Sequence, residues 1–130
     1  MWGNYSQSTH DDKLTSEPAH ESQRIAAVRA REIYEFRRKR NLKFDGVALF
    51  EDPAWDILLA IYIDEVARRP VSITSACLAS HVAPTTALRW IARLEQTGAL
   101  VRQDDPFDRR RAHLRLTPAV RERMTELLAA

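Results

Sequence analysis

Hydrophobic and polar positions along the chain alternate with two different periods. Between Pro84 and Gln96 the apolar residues Ala87, Leu88, Ile91 and Leu94 fall within a stripe about 120° wide at about 100° per residue, which predicts an amphipathic helix. Thr86, Arg89, Arg93 and Gln96 point the opposite way. Gly98 stands where a helix needs a left-handed residue at its C-terminus, and Ala99-Leu-Val-Arg102 restarts as an extended segment. In Ala112–Leu116 the period drops to two, with Ala112, Leu114 and Leu116 alternating with His113 and Arg115. Asp104-Asp-Pro-Phe-Asp108 lies between the two extended runs as a turn cluster, so this region reads as a β-hairpin with a charged tip.

The remaining elements follow from apolar period and from cap and break residues. Residues 1–17 are polar and aperiodic, cannot bury enough surface to order themselves, and are expected to form a disordered tail. A helix over about 18–42 begins near Ser16-Glu-Pro18, carries Ile25, Val28, Ile33 and Phe36 as its apolar stripe, and closes on Arg37-Arg-Lys-Arg40. Two readings of this helix stand open: a first helix packed on the domain with a solvated basic end, or a dimerisation helix whose basic end also touches DNA backbone. The second assumes that residues 52–130 close a core by themselves. Asn41 to Glu51 is a connector. Asp52-Pro53 is an N-cap followed by a proline in the first helical position, and Trp55, Leu58, Ile61, Tyr62 and Val66 spread over a face broad enough for burial on more than one side. Trp55 and Tyr62 could line an aromatic ligand cavity, but at helical spacing they read as core.

Val71-Ser72 is an extended entry to a helix of about two turns through Leu78, capped by Ser72 or Thr74. His81-Val-Ala83 is then a tight turn into Pro84. A short helix, a three-residue turn and an amphipathic helix make a helix-turn-helix. Thr117-Pro118 starts a last helix with Val120, Met124, Leu127 and Leu128 on its apolar face. The fold class is therefore mainly α with a small β-hairpin.

Charge sharpens this picture through its distribution. The net charge of the 130 residues is only +2, too small to argue for nucleic acid. Yet Arg24 to Lys43 holds eight basic residues against two acids, Asp45 to Glu65 holds six acids and no base, and Arg89 to Arg115 holds seven arginines against four acids. The one cysteine, Cys77, excludes an intramolecular disulfide and fits a reducing compartment, where a packed, inert thiol is expected rather than a redox sensor. The longest apolar run, Ile57 to Ile63, is too short to span a bilayer, and no signal-peptide core precedes it, so a cytoplasmic protein with no membrane partner is expected. His10 and His20 lack accompanying ligands and read as solvated; no metal, cofactor or catalytic constellation is expected, which argues against an enzyme.

A basic helix face beside an arginine-tipped hairpin points to duplex DNA. Thr85 and Thr86 fall in the first turn of the helix, where hydroxyls and free amides can meet phosphate or a thymine methyl; Arg89 can reach a base edge, and Arg93 is better placed for phosphate. Arg109, Arg110 and Arg111 put guanidinium forks at the hairpin tip, suited to phosphate and a narrow groove. The bland alternative is that all of these are solvent-facing residues. Trp90, at the stripe's edge, is expected to pack under the wing rather than stack on a base.

The runs Leu94-Glu-Gln-Thr-Gly-Ala-Leu-Val-Arg102, Asp105-Pro-Phe-Asp-Arg-Arg110 and Leu114-Arg-Leu-Thr-Pro118 resemble the MarR type of winged helix-turn-helix transcription regulator, over about residues 53–128. The resemblance implies a homodimer that puts the second helix of the motif in the major groove and the wing in the minor groove. It also implies that Asp108 braces an arginine, Arg110, for the DNA. Val120 departs from the pattern, where the family usually has glycine. The single short C-terminal helix leads us to expect a reduced inter-subunit effector pocket and dimerisation through Glu21 to about Arg40. A small-molecule effector is compatible with this reading. The alternative from another class is a winged-helix protein-interaction module without DNA binding.

Overall fold

The computed structural model describes residues 2–44, 50–108 and 111–130, with side chains from residue 19 onward. The chain runs α1 (Trp2–Lys43), α2 (Pro53–Val66), β1 (Val71–Ser72), α3 (Ile73–Ser80), α4 (Pro84–Gln96), β2 (Leu100–Asp104), β3 (Ala112–Leu116) and α5 (Pro118–Ala129). The strands form one antiparallel sheet in the order β1-β3-β2, so the expected mainly helical fold with a small β-hairpin is what forms.

In place of the tail expected over residues 1–17, α1 is continuous from Trp2. Pro18, expected in a first turn, thus lies inside this helix, where it has no amide to donate to the preceding turn. Packing places α1 against both α2 and α5. Of the apolar stripe Ile25, Val28, Ile33 and Phe36, only Ile33 packs on the core, while Ile25, Val28 and Phe36 are exposed. Ala26 and Ala30 are the residues sealed inside. Methyl side chains let α1 approach its neighbours closely, since the distance between helix axes is set by the side chains at the crossing. Ala26 and Ala30 also belong to one cluster with Ile57, Ile61, Leu114 and Leu116, so the core of the winged domain includes α1.

The predicted cap of α2 forms: Asp52 accepts from the Trp55 amide at 3.4 Å, with Pro53 in the first turn. Ile57, Leu59, Ile61, Tyr62 and Ile63 are buried, and Trp55 packs half-buried against them, so the two aromatics are core. Between them lies Asp56, with 1% of its surface exposed. Arg37 of α1 donates from Nε to Oδ1 at 2.6 Å and from Nη2 to Oδ2 at 3.2 Å, and Arg38 donates to Oδ2 at 2.7 Å. The basic end of α1 is thereby partly consumed inside the fold. Arg40 donates to the Phe50 carbonyl at 2.9 Å and lies over the Phe50 ring. On the other side of α2, Tyr62 and Thr125 share a hydrogen bond of 2.6 Å that ties α2 to α5.

Leu114 and Leu116 of β3, Leu100 of β2 and Val71 of β1 point into the core, as their alternation predicts. In register, Val71 faces Leu114, and β1 stops two residues short of Leu116. The amide of Leu116 donates instead to Glu65 Oε2 at 2.7 Å. Burial pushes the Glu65 carboxyl up, against the opposing pull of that amide and of Arg121 and Arg115.

Two outcomes follow from these buried carboxylates. Asp56→Ala should lower unfolding stability by about 3–5 kcal/mol in urea titrations, because two guanidiniums lose their counter-charge in a largely buried site. For Glu65, the folded state holds its proton at higher pH than the unfolded chain does, whose value is about 4.3. Its contribution to stability is therefore present at low pH and is lost as pH rises through that value and the higher folded one. Glu65→Gln keeps an acceptor for Leu116, so the fall in urea midpoint over this range should be shallower than in the wild type; parallel profiles would contradict the assignment.

Candidate nucleic-acid interface

The helix-turn-helix is built from local caps and one tertiary strut. Ser72 accepts from the Ser75 amide at 3.0 Å and starts α3. α3 ends at His81, whose φ of 56° is left-handed and whose amide returns to the Leu78 carbonyl at 3.3 Å. Buried Ser80 is satisfied, donating to the Cys77 carbonyl at 2.6 Å. From α1, the Tyr34 hydroxyl donates to the Ala79 carbonyl at 2.7 Å and lies 3.1 Å from His81 Nε2. With the phenolic proton given to Ala79, the imidazole Nε2–H is the donor of the second bond. Burial, and then the nearby Arg38 guanidinium, lower the His81 pKa and favour the neutral ring. Arg38 lies 5.2 Å from the Tyr34 ring centroid, so the same arginine touches the strut and Asp56.

On α4, Ala87 and Ile91 are buried, and Trp90 and Leu94 pack half-buried on the core. Thr85, Arg89, Ala92, Arg93 and Gln96 face outward. Two expectations are corrected here: Leu88, expected inside, is 46% exposed, and Thr86, expected on the polar face, is half-buried. The large Trp90 indole fills one flank of the buried sector, displacing that sector away from Leu88. Trp90 packs inward as expected, and the Arg93 guanidinium lies 5.5 Å from its ring centroid. Among the described residues neither Arg89 nor Arg93 has a carboxylate partner. At the N-terminus of α4 no side chain caps the helix, leaving the Thr85 and Thr86 amides without a side-chain acceptor.

The hairpin is fastened to α4 at its root. Gly98 has φ 80°, a conformation a Cβ would strain, and allows the chain to turn directly from helix to strand. Thr117 donates to the Gly98 carbonyl at 2.7 Å, and Arg102 of β2 pairs with Glu95 of α4 at 2.9 Å. Toward the tip, the Asp105 amide donates to the Arg111 carbonyl at 3.1 Å and the Arg111 amide to the Asp108 carbonyl at 3.0 Å. Arg111 is exposed, with its Nε 3.8 Å from Asp108 Oδ2. Arg109 and Arg110 lie outside the described residues. The pairing of Asp108 with Arg110 that the resemblance implies therefore lies outside the described residues.

Asp56 and Tyr34 were missed in the sequence. Asp56 could have been found as the acid set between Ala54-Trp55 and the apolar run Ile57 to Ile63. Cys77 is half-buried, and burial pushes its thiol up, away from the reactive thiolate. Among the described residues no group of three or more His, Cys, Asp or Glu side chains could hold a metal, and no helix is long and apolar enough to cross a membrane.

No protein-family model matches this chain, and no curated protein does. Solved structures do match in fold. One is AF1382 from Archaeoglobus fulgidus, with a TM-score of 0.52 and 19% identity over 61% of this chain and 84% of that one. Another is the transcriptional regulator Tm0710 from Thermotoga maritima, with a TM-score of 0.50 and 22% identity over 91% and 71% of the two chains. S. aureus MepR in its DNA-binding conformation matches with a TM-score of 0.52 and 18% identity over 74% and 69%. At these identities the likeness is one of fold.

Proposed function

We propose that this chain is a MarR-type transcription regulator that binds duplex DNA as a homodimer in the cytoplasm. The observation that carries the reading is the outward face of α4, where Arg89 and Arg93 have no carboxylate partner among the described residues, beside a wing that exposes Arg111. Arg37, Arg38, Arg69 and Arg102, in contrast, are each paired with a carboxylate. In the proposed complex α4 enters the major groove. The uncapped amides of Thr85 and Thr86 meet phosphate, Arg89 forks onto a guanine edge, and Arg93, held against Trp90, reaches phosphate. The wing lies along the minor groove with Arg109, Arg110 and Arg111, and Asp108 orients its arginines. Arg37 and Arg38 leave the list of DNA contacts because Asp56 occupies them.

The second half of the reading, the dimer, is supported by α1. Ile25, Val28 and Phe36 project outward on α1, and Leu127 does so on α5. A groove of about 400 Å³ between the two helices is lined by Ile25, Val28, Glu32 and Leu128. To read two half-sites on one side of a duplex, such a dimer must hold its two α4 helices about 34 Å apart, one turn of DNA.

Selection from a random duplex pool tests the DNA reading, and recovery of no sequence would end it. On the selected site, Arg89→Ala should cost about 1–3 kcal/mol and relax one base position, whereas Arg111→Ala should weaken all sequences and reduce the salt slope by about 1. With roughly 6–10 phosphates neutralised, affinity should fall about 10³- to 10⁵-fold from about 50 to 200 mM salt. For the dimer, light scattering should report two chains for the wild type and one for Ile25→Glu combined with Val28→Glu, with unchanged circular dichroism. A wild-type monomer would refute the pairing.

A further inference from the structure

Phe107, at the tip of the wing, is 97% exposed, the most exposed large apolar side chain among the described residues. The turn that carries it is closed. Its amide donates to Asp105 Oδ1 at 2.8 Å, Pro106 precedes it with a fixed φ, and the loop is bridged between Asp105 and Arg111 and between Arg111 and Asp108. An aromatic ring held out in water offers roughly 150–250 Å² of surface for burial against a partner. The adjacent carboxylates are engaged within the loop, Asp105 on the Phe107 amide and Asp108 beside Arg111. What the tip exposes is an apolar ring on the same turn as the Arg111 guanidinium, with two more arginines adjoining in sequence.

A partner matched to that pair has anionic rims and apolar walls. The minor groove of duplex DNA has both, phosphates along its edges and deoxyribose C–H groups on its sides, and at about 6 Å wide it admits a ring edge-on. We propose that Phe107 is an apolar anchor of the wing, packing its ring on the deoxyribose walls of the minor groove between phosphates held by the arginines. The inference rests on the DNA-binding reading above and adds to it a contact that carries no charge. Such a contact releases no counterions, so its loss lowers affinity without changing the dependence on salt.

The test uses the full chain and a duplex selected by the wild type, with fluorescence anisotropy over a range of salt concentrations. Phe107→Ala should weaken binding about tenfold at every salt concentration with the slope unchanged, a loss of about 1.4 kcal/mol. Phe107→Leu should recover most of the loss. Arg111→Ala, in contrast, should flatten the slope by about 1. Wild-type affinity in Phe107→Ala, a loss accompanied by an altered slope, or a change of oligomeric state in light scattering would overturn the anchor and leave the DNA reading standing. Failure of the wild type to bind any duplex would remove both.

Discussion

A carboxylate sealed within the apolar body of α2 is the constraint around which this fold is arranged. Withdrawing an ion from water costs several kcal/mol, so Asp56 is tenable only because Arg37 forks onto both oxygens and Arg38 adds a third donor. Those donors come from neighbouring residues near the C-terminal end of α1, which fixes both the rotation and the axial position of α1 on α2. Tyr34, one turn before Arg38, is then placed to reach Ala79 and His81. Charge burial, an aromatic hydroxyl and the turn of the helix-turn-helix therefore form one mechanical chain from α1 to α3.

Locking α1 in that rotation decides which residues it shows to solvent. The seam of Ala26 and Ala30 permits close helix packing but buries little apolar surface, so Ile25, Val28 and Phe36 are left outside. Their exposure goes with the rotation of α1 that sets Arg37 and Arg38 on Asp56. An exposed stripe of this kind, beside Leu127 of α5, is the surface feature that supports association with a second copy.

The proposed DNA face is rigid for a related reason. α4 is seated by Ala87, Ile91 and Trp90, and the hairpin is pinned to it through Glu95–Arg102 and through Thr117 on the Gly98 carbonyl. Helix and wing are thus carried as one piece. Within it Arg102 and Glu95 are paired, whereas Arg89 and Arg93 on the outward face of α4 have no carboxylate partner among the described residues.

The sequence by itself determined the local elements, because their signals are local: Asp52-Pro53 and Ser72 or Thr74 as helix starts, Gly98 as the left-handed exit, and the alternation of Ala112, Leu114 and Leu116 as a strand. It also determined the outward positions of Arg89, Arg93 and Gln96, since the period of a single helix separates them from Ala87 and Ile91. What only the tertiary structure decided is which of two apolar faces of α1 goes inward, that Leu88 lies outside and Thr86 half inside, and that Arg37 and Arg38 are spent on Asp56. The physical reason is that periodicity records that a helix has an apolar side, whereas the depth of each residue depends on the volume and charge of what packs against it. An alanine seam and a buried carboxylate carry no period of their own, and acquire meaning only when α2 is laid across α1.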